Sequence, residues 1–364
     1  MKLNLNLPIN STSFGQTSTL IARTLFDRIK NGKASDGDYS IIPIGNADVS
    51  TQNLPDDFSA WLQSKLSSGF QNHSRSTPTF KLWHLNGSLE SFSEKQTLLS
   101  FYELDEPTAI ETNIVKNNKT LFSSRYSIDA FKSSGADSSF IPLAFDHYNF
   151  FKTNKTYIKD RIVFNLCGKF EKRKHHAKII KAWLRKFKNN NKFHLQCSNY
   201  NPFLKPEDNN ALINNILAGE KPFNISFIPF MQKNSIYNDY LNSANIILGC
   251  SGGEGWGLPE FTSVCLGKHA VIMNAHSYKE WADESNSVLI NPCGKIPAYD
   301  GMFFHKGQPF NQGNIFDFNE DEFIFGCEKA VERYESNPVN VNGEKLIEKF
   351  NSESFLDSIV SYAS

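Results

Sequence analysis

From residue 161 to residue 292 the chain repeats one pattern: a short run apolar at nearly every position, a polar turn, then a longer segment with apolar residues at helical spacing. RIVFNLCG (161–168) reads as a strand, and His175–Lys188 follows with Ile179, Ile180, Trp183, Leu184 and Phe187 on one stripe. KFHLQCS, FNISFIPF, NIILGC, HAVIMNA and a short VLINP read as further strands, with ALINNILAG and SIYNDYLNSA as helices between them. Strands apolar on both faces must be covered on both, and alternation with helices supplies the cover. The pattern therefore predicts a parallel sheet between helical layers.

The first half carries a fainter version. Residues 2–9 read as a strand, STSFGQ as a turn and Thr17–Lys30 as a helix, with short strands at Ser40–Ile44, Phe80–Leu85, Leu98–Tyr102, Thr120–Phe122 and Ser139–Pro142. Asp321–Tyr334 and Glu344–Ala363 read as terminal helices. At 364 residues, two cores are expected rather than one. A polar, Lys-rich stretch at 145–161 marks the boundary, giving Rossmann-like domains at 1–155 and 156–340 and a C-terminal helix at 341–364.

Lys plus Arg equals Asp plus Glu at 38 each, so overall charge gives no reason to expect a polyanionic partner. No apolar run reaches the roughly 18 residues of a membrane span, and the N-terminus lacks the apolar core of a signal peptide. The six cysteines have no CxxC spacing, which fits buried thiols in a reducing cytoplasm. The abundance of Asn, Lys, Phe and Ser suggests AT-rich coding DNA, compatible with a viral source and a host cytoplasm. Ten Lys or Arg against one acid between Lys169 and Lys192 read mainly as a solvated helix face, with a surface for nucleic acid or anionic membrane as the sharper reading. The DGD at 36–38 reads as turn chemistry rather than a metal site.

GCSGGEGWGLPEFTSVCLGK (249–268) carries the chemistry. A strand, a glycine-rich loop and a helix N-terminus together form a phosphate site, since bare backbone permits close approach and unpaired N–H groups face the anion. The spacing is neither GxGxxG nor a P-loop. Glu254 would repel a phosphate and is better suited to accepting hydrogen bonds from hydroxyls. A ligand offering both phosphate and hydroxyls is a nucleotide sugar.

SGGEGWGLPEFTSVCLGKHAVI (251–272) resembles the donor-site signature of the large retaining GT-B group that includes sucrose and glycogen synthases and many lipopolysaccharide glycosyltransferases: S-x-x-E-G-[FW]-G-L-P-x-x-E-A, then G-x-P-V-I. NLCGKFEKRK resembles that group's G-R-L-x-x-x-K, with Lys169 at the Arg and Lys174 at the Lys that hold the donor diphosphate. PINSTSFGQTSTL and FIPLAFD are similar to its first glycine turn and its interdomain crossover. Thr262 stands where relatives have a second glutamate that binds ribose, and Glu260 reads as a first-turn carboxylate suited to the helix dipole.

The resemblance implies an α/β GT-B fold: two Rossmann-like domains with parallel sheets facing across a cleft, an acceptor domain first and a donor domain second, and a C-terminal helix closing back on the first. It implies a metal-independent glycosyltransferase with no cofactor. Such an enzyme moves a hexose or pentose from a UDP- or GDP-linked sugar, with retention, to a hydroxyl of a surface glycan, a lipid-linked sugar or, less typically, a hydroxymethylated DNA base. Peripheral membrane contact is compatible with these acceptors. Site residues so implied are Glu254, Lys169 and Lys174, with Gly15, Gly255, Trp256, Gly257, Leu258 and Thr262 around the donor. Glu103, in SFYELDEP, and His84 are the acceptor-side candidates. A nucleotide-sugar hydrolase or epimerase of the same fold, or a non-catalytic sugar-nucleotide-binding partner, are the alternatives.

Overall fold

A computed structural model describes residues 2–364. Its first half is a six-stranded parallel sheet in the order β2-β1-β3-β4-β5-β6. The strands are β1 (Leu3–Leu7), β2 (Tyr39–Pro43), β3 (Thr79–Leu82), β4 (Gln96–Ser100), β5 (Lys119–Phe122) and β6 (Ser139–Phe140). Between them run α1 (Ser13–Lys30), α2 (Asp56–Ser68), α3 (Ala109–Lys116) and α4 (Arg125–Ser133). Strand β1 has the sequence LNLNL, an alternation that in isolation suggests one wet face, yet all five residues are buried. Burial is tolerable because the amides are used: Asn6 Nδ2 donates to Ile42 O at 2.9 Å and Asn4 Nδ2 to Thr77 O at 3.2 Å.

The second sheet has the order β12-β11-β10-β7-β8-β9, formed by β7 (Ile162–Cys167), β8 (Phe193–Ser198), β9 (Ile225–Phe227), β10 (Ile246–Gly249), β11 (His269–Met273) and β12 (Val288–Ile290). Its helices are α5 (His176–Phe187), α6 (Pro206–Leu217), α7 (Asn234–Asn242), α8 (Leu258–Cys265) and α9 (Glu320–Ser336). All strand pairs in both six-stranded sheets are parallel, as the alternating pattern predicts. In α5 the apolar stripe Ile179–Ile180–Trp183–Leu184–Phe187 is buried, with Trp183 wholly enclosed.

Three readings change. STSFGQ is not a turn: α1 begins at Ser13, so Gly15 lies in its first helical turn. The last segment is not one helix. It breaks into α10 (Val341–Glu344), α11 (Leu346–Lys349) and α12 (Ser352–Ala363), with Asn351 capping the last through its side chain to Ser354 N. And the segment after VLINP, which carries no strand or helix period, folds with Pro292 as an antiparallel pair, β13 (Pro292–Pro297) and β14 (Asn314–Phe318), joined by a long tip.

The two halves are joined at both ends. Helix α12 returns to pack on α1, where Arg28 pairs with Glu353 at 2.6 Å and Asp357 at 2.7 Å. On the opposite side the β13–β14 arm docks on the first domain. Ala298, Phe304 and Ile315 from the arm share one buried apolar cluster with Leu98, Tyr102, Leu104, Phe122 and Phe131. Polar contacts frame it: Lys295 to Asp105 at 2.7 Å, Asn311 N to Glu111 Oε1 at 2.8 Å and Thr108 Oγ1 to Pro309 O at 2.7 Å. Among the described residues no helix is long and apolar enough to cross a membrane. The six cysteines are free thiols, and all but Cys293 are buried.

Candidate active site

Two loops at the carboxyl edge of the second sheet build the site. The first leaves β7 at Gly168, which has φ +105°, and runs through Lys169–Lys174 to a left-handed His175 at the start of α5. The second leaves β10 at Cys250 and reaches α8 through Gly257, whose φ of +82° and approach to Tyr278 exclude a side chain. Backbone bonds splice the loops together: Gly252 N donates to Arg173 O at 2.8 Å and Phe316 N, on the arm, to Gly252 O at 2.8 Å.

The loop also faces the other domain at close range. A Cβ on Gly253 would lie 2.5 Å from Glu103 O, and one on Gly255 2.6 Å from Phe101 Cβ. Ser123 Oγ, beyond β5, donates to Gly255 O at 2.6 Å. The bare backbone that reads in sequence as room for a ligand thus also lets the two domains touch.

Within this contact, charge is concentrated on Arg173, which sequence reading counted only as part of the basic run. Its Nη1 lies 3.0 Å from Glu254 Oε1 and 3.3 Å from Glu103 Oε1, its Nη2 lies 3.1 Å from Glu171 Oε2, and Nη1 also donates to Gly253 O. Lys174 pairs with the same Glu254 oxygen, and Lys169 with Glu171 at 3.0 Å. Three cations therefore balance three carboxylates, one of them, Glu103, contributed by the first domain. The family pattern gives no signal for Arg173, because its position there is unspecified.

The pairing splits the carboxylates. Burial alone would raise the Glu254 carboxyl, but Lys174 and Arg173 hold it well below the usual range. Glu171 is also lowered, with Arg173, Lys169 and Lys174 outweighing burial. Glu103 goes the other way: desolvation, with Glu254 and Glu171 nearby, pushes it up to about 7 against the pull of Arg173. Glu260, in the first turn of α8, is 2% exposed with Oε2 unpartnered. Burial and Glu254 push its carboxyl up to about 7 against Lys174. It is a first-turn carboxylate, as the sequence reading has it, and an enclosed one.

The remaining sequence candidates separate. His84 packs against Phe14 with the rings tilted and their centroids 4.6 Å apart, beside Trp83 and Phe101. Desolvation and then the charge of Lys169 lower its pKa. Gly15 faces its own loop: a Cβ there would lie 2.0 Å from Asn10 O. The Trp256 ring is core, packed on Phe261 and Phe350 at 5.4 Å each, so only its backbone is left for a ligand. Leu258 opens α8, and Thr262 is buried in the same helix. Asp36 of the DGD turn bonds Trp61 Nε1 at 2.7 Å and Lys65 at 3.0 Å.

The basic run is largely neutralised. Lys178 pairs with Asp317 at 2.7 Å, Arg185 with Asp321 at 2.5 Å, Lys186 with Glu328 at 2.5 Å, Lys188 with Glu220 at 2.8 Å and Lys192 with Glu335 at 2.6 Å. Acids from elsewhere in the chain, most of them on or beside α9, thus pair with this face, in keeping with its main reading as a solvated helix face and against the sharper one as a surface for nucleic acid or anionic membrane.

No protein-family model and no curated protein sequence matches the chain. Solved structures do match in shape. A sucrose-phosphate synthase from Thermosynechococcus elongatus superposes with a TM-score of 0.66 at 10% identity, covering 99% of this chain and 98% of that one. HepE from Anabaena, solved with UDP and glucose, gives 0.67 at 12% identity over 99% of both chains. WaaG, a glycosyltransferase involved in lipopolysaccharide biosynthesis, gives 0.62 at 10% identity over 100% and 99%. The fold is therefore GT-B, the two-domain architecture of group 1 glycosyltransferases, extending over essentially the whole chain.

Proposed function

We propose that this chain is a retaining glycosyltransferase that moves a hexose or pentose from a nucleotide diphosphate sugar to an acceptor hydroxyl. One observation supports the reading: Glu254, Lys174 and Glu103, singled out through the family resemblance, lie together at the contact between the two domains, with Lys174 paired to Glu254 and Arg173 bridging Glu254 and Glu103. HepE was solved with UDP and glucose, which favours a UDP-linked donor.

Lys174 is paired with Glu254. A diphosphate entering beside Gly168 draws Lys174 and Lys169 to its oxygens, leaving Glu254 held by Arg173 and open to sugar hydroxyls. The bond between the anomeric carbon and phosphate oxygen breaks, and the nucleoside diphosphate leaves with the electron pair. The two lysines stabilise its growing charge, an effect of about 10²–10³ in rate where a comparable donor is removed. The acceptor oxygen bonds to the same face of the anomeric carbon, and its proton passes to the departing phosphate. Glu103 borders the acceptor side, where its raised pKa suits hydrogen bonding to a neutral hydroxyl.

Saccharide acceptors, as a surface glycan or a lipid-linked sugar, fit better than DNA, because the pairing of the α5 cations removes the charge that a duplex would need. The test is incubation with UDP-, GDP- and ADP-sugars, reading nucleoside diphosphate release. Slow release supports the proposal. Epimerised or sugar-phosphate products would point to the hydrolase or epimerase alternative, and binding without turnover to a non-catalytic role.

A further inference from the structure

Beside the diphosphate lysines lies an aromatic cluster that neither the family pattern nor the transfer chemistry uses. Lys169 Nζ sits 5.1 Å from the centroid of the Phe203 ring and 4.9 Å from that of Phe303. The rings are edge to face, with centroids 5.7 Å apart. Phe203 is 64% exposed, so one face of the pair is open to a ligand.

Both rings are held by built turns. Asn201, fully buried, accepts from Phe203 N at 3.0 Å and donates to Phe170 O at 3.0 Å. On the arm, Asp300 Oδ1 accepts from the backbone N–H of Met302, Phe303 and Phe304, each at 2.9 Å, and Phe304 anchors the tip in the interdomain cluster. Four residues before Phe203, Asn199 is 2% exposed and its Nδ2 has no hydrogen-bond partner, an unused donor on the same loop.

We propose that Phe203 and Phe303 form the seat of the donor's nucleobase, and that Lys169 occupies this seat until a diphosphate draws it away. The inference rests on the donor site proposed above and adds an arm residue to it. A stacked base lies about 3.5 Å above an aromatic ring, inside the space the ammonium now holds. Lys169 cannot serve the rings and the phosphate at once. One ligand resolves the conflict, since its phosphates attract the cation while its base replaces it on the rings. Nucleoside and diphosphate binding are then coupled through a single side chain.

Calorimetric titration of the full chain with UDP, uridine and inorganic pyrophosphate separates the terms. Phe203→Ala and Phe303→Ala are expected to weaken UDP binding by about 5-fold or more, the stacking contribution, and to leave pyrophosphate within about twofold. Lys169→Ala is expected to move the two fragments in opposite directions, uridine tighter and pyrophosphate weaker. UDP affinity unchanged in both Phe variants while the wild type binds UDP, or uridine weakened by Lys169→Ala, would overturn the seat and leave the donor site standing. A wild type that binds no nucleoside diphosphate would refute the donor site and the seat together.

Discussion

Replacing Arg173 with Met tests the charge hub directly. Arg173 is 6% exposed, and its guanidinium is shared by Glu103, Glu171 and Glu254. Met fills a similar volume but leaves Lys169 and Lys174 to balance three buried or half-buried carboxylates. Breaking a buried pair by removing one partner costs about 3–5 kcal/mol. For a chain of 364 residues, an unfolding entropy of about 2 cal/mol/K per residue converts this to a melting-point drop of about 5 °C.

The drop should depend on pH, with a definite sign. Glu103 in the folded wild type is raised from 4.5 to about 7, so between these values the folded state binds the extra proton and stability falls as pH rises. Without Arg173 the Glu103 carboxyl rises further, and the window extends upward. The variant should therefore lose more relative to wild type at pH 8 than at pH 6, by up to about 1.4 kcal/mol for each pH unit over which Glu103 is protonated only in the variant. Scanning calorimetry at both pH values reads this. A loss below about 1 kcal/mol at pH 8, the range of an exposed pair, or an equal loss at both pH values would refute the hub.

Further outcomes follow from the same contacts. Glu254→Gln should keep the fold, by near-ultraviolet dichroism, while cutting nucleoside diphosphate release at least about tenfold; wild-type turnover would remove Glu254 from the site. Phe304→Ala, which empties an enclosed position in the interdomain cluster, should cost about 3–5 kcal/mol by denaturant unfolding, and a cost under about 1 kcal/mol would show that the arm is not docked as described. Gly255→Ala places a methyl 2.6 Å from Phe101 Cβ and should destabilise by about 1–3 kcal/mol, whereas an unchanged melting point would mean the domains do not meet there. Duplex DNA should show no binding in a gel-shift assay at low salt, and salt-sensitive binding lost on reversing Lys178 and Arg185 would restore the nucleic-acid reading.

The second sheet was legible in sequence because its strands are buried on both faces and its helices carry one apolar stripe; both periods are local properties. The β13–β14 arm was not legible. PCGKIP is mostly exposed, only Ile296 and Ile315 of the two strands pack in the cluster shared with the other domain, and nothing within the arm itself reveals that partner. The α1 start lies earlier than the sequence suggests for a related reason: Ser, Thr and Gly around residue 13 have turn propensities, and the packing of Phe14 on Trp83, His84 and Phe101 overrides them.

In the site, Glu254 and Lys174 could be found because their spacing follows a family pattern. Arg173 could not, since its role depends on Glu103, 70 residues away in the other domain. The glycines show the same limit. Their number was informative, but the close partner at Gly253 and Gly255 is a second domain, which sequence spacing does not encode.

The central claim is that the lysines beside Gly168 and the carboxylate after Gly253 together hold a nucleotide sugar. A crystal structure of the protein with UDP-glucose tests it most directly. The account predicts diphosphate oxygens within hydrogen-bond reach of Lys169 and Lys174, with Lys174 released from Glu254 and Glu254 accepting from sugar hydroxyls. A nucleotide bound elsewhere, or at this edge with the Lys174–Glu254 pair still closed, would contradict it.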